Sequence, residues 1–292
     1  MVLRVGAHLS KGKNLGDAIN SIIDARGNAL QFFLSAPVNS SPGTKIKPSE
    51  ITTIEALNGC IYLIVHGKYI LNFCRPRESS SEWQFKSIKN DMIEADKIGA
   101  DVIIHQGKNV KTLKQTHETA MKTFCRNIES ILEETPELKN KIVLENSCQQ
   151  GTEMGFTVEQ LAEIYHEIDS KYHPRIGFCL DLCHIFVSGA CDVRCPDAVD
   201  EFFDQFNNKI GVDKLTVIHF NDSKTQFGKC NDHHDDLGVG HIGNTEHGGS
   251  IDGFKRVVYH ANIHDIPMIL ETPRKSDEHS TEKQIELIRS WE

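Results

Sequence analysis

Eight short apolar runs alternate along this chain with segments of helical period, and no other feature limits the fold so tightly. The runs predicted as strands are Leu3 to Ala7, Ala29 to Phe33, Ile61 to His66, Asp101 to His105, Lys141 to Asn146, Arg175 to Asp181, Lys214 to Phe220 and Pro267 to Glu271. Between them, apolar residues recur at helical spacing over roughly Leu15 to Ala25, Glu82 to Ile98, Thr112 to Glu134, Thr157 to Asp169, Ala198 to Asn208 and Ile251 to Ala261. The connection Ser35 to Gly59 is polar at first and predicts only a short helix. Strands alternating with helices make a parallel sheet. Eight such units predict an α/β fold, a closed (β/α)8 TIM barrel, with residues 1–292 forming one catalytic domain. An open doubly wound sheet would suit the same alternation, but no GxGxxG turn follows the first strand. The one long connection without helical pattern, Asn221 to Ser250, is expected to be functional.

A barrel of this kind works at the carboxyl ends of its strands, so what each strand ends on matters most. The third ends on His66, the fourth on His105, the fifth on Glu145, the sixth on Asp181 with His184 beyond it, the seventh on His219 and the eighth on Glu271. A lone strand-end histidine is usually a hydrogen-bonded core or loop residue, and a lone carboxylate often caps a helix. Six in succession, each after an apolar run, point instead to one shared site. The long loop adds Asp232 and His234, two apart and therefore on one side of an extended segment, with His233 and Asp235 as possible substitutes. Five histidines and four carboxylates exceed what one ion can use. Nitrogen and oxygen donors without thiolate suit zinc, with manganese or iron less suited.

The formal charge of −9 argues against simple electrostatic attraction to nucleic acid. Three dications would outweigh the four carboxylates and attract a phosphate locally, and ions sharing a carboxylate activate water, which implies hydrolysis of a phosphate ester. Nine cysteines, an odd number without CxxC spacing, predict free thiols and an intracellular, reducing compartment. Cys179 and Cys183 read as packing around Asp181. No signal-like leader and no apolar run of roughly 18 residues is present, so a soluble protein without membrane association is expected.

The chain resembles the endonuclease IV type of apurinic/apyrimidinic endonucleases. The similarity runs in order through Gly6-Ala-His-Leu-Ser10, Val65-His66, Ile104-His105, Leu144-Glu-Asn146 with Gly151-Thr152, Phe178-Cys-Leu-Asp-Leu-Cys-His184, His219-Phe-Asn-Asp-Ser-Lys224, Asp232-x-His234-x-x-Leu-Gly238 and Leu270-Glu-Thr272. It implies three zinc ions: one on His66, His105 and Glu145, a second on Glu145, Asp181, His219 and Glu271, a third on His184, Asp232 and His234. It further implies Glu145 as the bridging catalytic carboxylate and a cut in double-stranded DNA 5′ to an abasic site, leaving a 3′-hydroxyl and a 5′-deoxyribose phosphate. Tyr69 and Ile70 resemble the residues that enter the duplex, with Lys68 and Lys224 as further DNA contacts, and a monomer suffices.

Gln31 and Ser35 to Ser40 sit where such enzymes carry a basic inserting segment, yet Val38 stands at the expected arginine. His233 replaces a usual Arg, Leu182 a Thr and Val239 a Glu, and the stretch 244–250 is longer than usual. Lys11, Lys13, Lys68, Lys108, Lys224, Lys229 and Arg274 are expected on the active face. A sugar isomerase or epimerase on the same barrel would use Glu145, Asp181, His219 and Glu271 around one ion, leaving the other five donors idle. A lesion-binding protein with structural metals would need closed four-ligand spheres.

Overall fold

Strands buried on both faces and helices apolar on one face leave one economical arrangement, with strands side by side inside and helices around them. The computed structural model has this arrangement and describes residues 2–40, 43–57 and 59–292. Residues 1, 41, 42 and 58, which fall within the predicted domain and in part within the connection 35–59, lie outside the described residues.

The barrel strands are β1 (Val5–His8), β2 (Ala29–Phe33), β3 (Tyr62–His66), β4 (Asp101–His105), β5 (Ile142–Glu145), β6 (Ile176–Asp181), β7 (Leu215–His219) and β10 (Met268–Leu270). They close in the order β1-β10-β7-β6-β5-β4-β3-β2, every neighbour parallel. Helices α1 (Leu15–Asp24), α2 (Pro48–Ala56), α3 (Glu82–Asp96), α4 (His117–Glu133), α5 (Val158–Glu167), α7 (Pro196–Lys209) and α8 (Ile251–Ile263) fall where their periodicity places them. In α1, Asn14 caps the Gly16 amide, and Leu15, Ala18, Ile19 and Ile22 form the buried stripe. Each large side chain in such a stripe contributes about 1.5–3 kcal/mol, and Ile19→Ala would cost about 2–5 kcal/mol.

Three elements depart from expectation. Helix α6 (Leu182–Val187), on a run to which the sequence assigned no element, follows β6 directly, because the Asp181 side chain accepts the His184 amide at 2.9 Å and starts a helix. Helix α9 (Thr281–Arg289), capped by Ser280, buries Ile285 and Ile288 and completes the outer ring. The long connection holds a two-stranded antiparallel ribbon, β8 (Asp222–Ser223) with β9 (His234–Asp235), and a 3-10 turn at Thr245–His247 within the stretch 244–250.

One buried layer crosses the barrel interior: Ala29, Ile64, Ile103, Val143, Cys179, Val217 and Ile269. Side chains alternate along a strand, so the residue two further on points inward one layer higher. Those residues are Gln31, His66, His105, Glu145, Asp181, His219 and Glu271, and from β1 His8. A floor of aliphatic side chains thus carries a ring of polar ones at the carboxyl mouth.

Candidate metal centre

The ring opens into a cavity of about 740 Å³ lined by His66, His105, Glu145, His184, Asp232, His234 and Glu271 among others, with Asp181 and His219 wholly buried beneath. All nine residues singled out from the sequence meet here. Glu145 is central: its Oε2 lies 3.2 Å from His66 Nε2 and 3.5 Å from His105 Nδ1, and its Oε1 lies 3.0 Å from His219 Nδ1. His219 Nδ1 is also 3.2 Å from Glu271 Oε2 and 3.7 Å from Asp181 Oδ2. Asp232 joins the two remaining imidazoles, with Oδ2 3.2 Å from His184 Nε2 and Oδ1 3.1 Å from His234 Nε2. Donor atoms within 4.8 Å of one another form the sets His66–His105–Glu145, Glu145–Asp181–His219–Glu271 and Asp181–His184–His234. Asp181 therefore touches two sets, and α6, which it caps, turns His184 toward the second.

Whether this chemistry suits cations can be judged from the imidazoles. His66 Nδ1 faces its Gly67 carbonyl at 2.7 Å, His184 Nδ1 the Asn146 carbonyl at 2.8 Å, and His234 Nδ1 the Glu271 carbonyl at 3.4 Å. A carbonyl only accepts, so these nitrogens carry the proton and Nε2 keeps its lone pair for the cavity. The Nε2 atoms of His184 and His234 are buried without an aligned hydrogen-bond partner. Burial would lower His184, but Asp181, Asp232 and Glu145 hold it well above the usual imidazole range. Burial is likewise outweighed at His234, pushed up to about 9 by Asp181 and Asp232. Burial lifts the Glu145 carboxyl, yet His105, His219 and His66 hold it well below the usual carboxylate range. Ionised carboxylates holding protons on imidazoles mark places where a dication fits in the protons' stead. Cys179 Sγ lies within 4.8 Å of donor atoms of Glu145 and His219, and Cys183 Sγ of donor atoms of Asp232 and His234. Burial pushes the Cys179 thiol up to about 12 and raises Cys183 well above the usual thiol range, which disfavours the thiolate a metal would need. All nine cysteines are free.

The loop donors are fixed by a carboxylate the sequence reading passed over. Asp222, fully buried, accepts the backbone N–H groups of Gly238, Gly240, Ile242 and Gly243 at 2.9–3.2 Å. A Cβ at Gly240 or Gly243 would lie within 2.9 Å of that carboxylate, so both glycines serve the close approach. His8 was not expected in the site, and Gln31, expected with the segment that inserts into DNA, is instead wholly buried at the level of the donor ring. The first strand was expected to stop at Ala7, and a neutral amide carries no ligand signal. In the structure Gln31 bonds His219, Glu271 and His8.

Among the residues expected to meet DNA, Tyr69 and Ile70 line the mouth and are exposed, the Tyr69 ring edge-on to His66 and Phe33 at 5.3 and 5.2 Å. Lys224 and Lys108 are exposed on the same rim, as are Lys13, Lys229 and Arg274 on their loops, and Val38 is 71% exposed. Lys68 is a correction. It is 3% exposed, and its ammonium bonds the Ser35 hydroxyl and approaches the Ala36 carbonyl at 3.4 Å, with the charge of the buried Asp91 carboxyl acting on it. Lys11 likewise turns in to pair with Glu50 at 3.3 Å. Both charges are used between loops and the barrel rather than offered to a phosphate.

Among the described residues no helix is long and apolar enough to cross a membrane. Residues 36–291 match the model of the xylose isomerase-like TIM barrel family. The chain is 33% identical to a putative endonuclease 4 of Acanthamoeba polyphaga mimivirus, covering 100% of this chain and 94% of that relative. It is 28% identical to apurinic-apyrimidinic endonuclease 1 of Saccharomyces cerevisiae, covering 94% of this chain and 72% of the relative. Its fold matches the crystal structure of endonuclease IV from Thermus thermophilus with a TM-score of 0.80 at 24% identity, over 99% of this chain and 98% of the other. With its barrel, its ring of strand-end donors and these full-length relatives, the chain belongs to the endonuclease IV family of DNA-cleaving hydrolases.

Proposed function

We propose that this protein is a zinc-dependent apurinic/apyrimidinic endonuclease that hydrolyses the DNA phosphodiester 5′ to an abasic site, leaving a 3′-hydroxyl and a 5′-deoxyribose phosphate. The observation that carries the reading is the orientation of the donor histidines. Each of His66, His184 and His234 ties one ring nitrogen to a carbonyl and turns the other to the carboxylates around Glu145 and Asp232. Three ions would be held by His66, His105 and Glu145, by Glu145, Asp181, His219 and Glu271, and by His184, Asp232 and His234. When bound, they supply acidified water and positive charge for a phosphate at neutral pH.

The protein's own groups divide the remaining work. Glu145, with one oxygen toward His66 and the other toward His219, bridges the first two donor sets and sets their separation. Asp181, held by the His184 amide and by Asn221 Nδ2 at 2.7 Å, keeps its carboxylate between the second and third sets. Tyr69 and Ile70 stand at the mouth as the apolar pair that fills the duplex beside an extruded sugar, and Lys224 faces the backbone. The nine free thiols suit a reducing intracellular compartment, and a duplex-binding barrel acts as a monomer.

The test is incision of a duplex carrying a synthetic abasic site, combined with metal analysis. Expected are a chelator-sensitive nick 5′ to the lesion and about three zinc ions per chain. One ion per chain, no nick and ketose/aldose interconversion would instead support the isomerase chemistry of the wider barrel family.

A further inference from the structure

Gln31 is fully buried in β2, at the level of the donor ring and beside His8 in the strand register. Its side chain makes three hydrogen bonds to three different strands. Oε1 meets His219 Nε2 at 2.7 Å, while Nε2 meets Glu271 Oε1 at 2.6 Å and His8 Nδ1 at 2.8 Å. The orientation of the amide follows from its partners. Glu271 as a carboxylate only accepts, so the amide nitrogen must face it and the amide oxygen is left for His219. His219 must then donate through Nε2–H, which leaves Nδ1 toward Glu145 Oε1 at 3.0 Å and Glu271 Oε2 at 3.2 Å. The second amide hydrogen goes to His8 Nδ1.

This differs from the rest of the cluster. His66, His184 and His234 have their outer nitrogens held by main-chain carbonyls, which no side-chain substitution removes. For His219 the holding atom belongs to a side chain. The same amide takes one Glu271 oxygen and leaves the other turned toward His219.

We infer that Gln31 is a positioning residue for the second donor set: it holds His219 as the Nε2–H tautomer and orients Glu271, so that both present one donor atom toward Glu145 and Asp181. The inference rests on the metal reading above. An outer-shell hydrogen bond of this kind is typically worth about 10- to 100-fold in metal affinity.

The variant to make is Gln31→Met, similar in length and without amide donor or acceptor. Zinc content after dialysis against a graded chelator is expected to show one ion lost about 10- to 100-fold more readily than in the wild type, with the other two unchanged. Three ions held with wild-type affinity would overturn the inference. If Gln31→Met fails to fold, the wild type itself decides. Nitrogen-15 NMR of histidine-labelled protein, at a pH high enough to neutralise the rings, should report His219 protonated at Nε2, and protonation at Nδ1 would overturn the assignment. If the wild type binds fewer than three ions, the three-ion reading falls, while the tautomer measurement still judges Gln31.

Discussion

His66, His105, Glu145, Asp181, His219 and Glu271 reach the cavity from barrel strands, whereas Asp232 and His234 reach it from a loop. Each strand-borne donor stands at the end of a run paired on both sides by parallel neighbours. Side-chain exposure is 0–1% at His66, Glu145, Asp181 and His219, 11% at Glu271 and 27% at the rim residue His105, against 39% at Asp232 and 17% at His234. The loop depends on two buried carboxylates, Asp222 and Asp236, the latter accepting from the Arg274 and Lys275 amides and from Gln284, and on a ribbon of two residues per strand. The difference teaches that one site can combine two kinds of support. The donors around Glu145 are fixed by barrel closure, and those around Asp232 by a local clasp that can fail without unfolding the barrel.

The largest effect is expected where both strand-borne sets meet. Glu145→Gln should lower incision by about 10³-fold or more while the barrel keeps its melting behaviour, measured with the abasic-duplex assay and thermal denaturation. Wild-type turnover in this variant would break the central role given to Glu145. Next comes the clasp. Asp222→Ala leaves five backbone amides, those of Ser223, Gly238, Gly240, Ile242 and Gly243, without their acceptor, each costing about 1–3 kcal/mol if it stays buried, so the loop is expected to open. Hydrogen exchange should then quicken at residues 238–243 while the strand amides stay protected. Unchanged protection there would mean that the ribbon and the Asp236 contacts hold the loop without Asp222.

A milder version uses no barrel change. Asp232→Asn should let one ion leave a chelator titration about 10- to 100-fold more readily, with two retained. Simultaneous loss of all three would show that the halves are energetically one unit. The last test leaves activity aside and concerns the buried Asp91 carboxyl, whose charge acts on Lys68 beside the loop carrying Tyr69. Burial pushes the Asp91 carboxyl up to about 7 from 3.8. The folded state therefore binds a proton that the unfolded chain has lost, and stability falls as pH rises from about 4 to 7. Asp91→Asn should remove that slope, gaining on the order of 4 kcal/mol at pH 8 relative to pH 4 in urea denaturation. Parallel pH profiles for the two proteins would remove Asp91 from the account.

Much of the molecule is legible without coordinates, for reasons that differ by element. The barrel strands and the helices of regular period are visible because burial on both faces or on one leaves its period in the residue order. Six strand-end donors are visible because a polar group closing an apolar run has only the mouth to face. Helix α6 is not visible, since six residues, LCHIFV, are too short and too uniformly apolar to show a helical period. Helix α9 is missed because its apolar positions are few and follow the last strand. Lys68 looks like a phosphate contact by its place after His66, yet it is buried with its ammonium on the Ser35 hydroxyl and the Ala36 carbonyl, 33 and 32 residues away along the chain.

The residue order by itself determined the fold class, the inward period of two and the six polar strand ends, because each is a matter of which neighbours along the chain are apolar. In the long loop it left Asp232 and His234 open to replacement by His233 and Asp235. Tertiary structure alone decided which donors share a set, which nitrogen of each imidazole is free and what holds it there. Gln31 and Glu271 are 240 residues apart, and only closure of the barrel brings them to 2.6 Å. Hydrogen-bond direction depends on the partner met in space, and the chain meets that partner only when β1 and β10 pair to complete the ring.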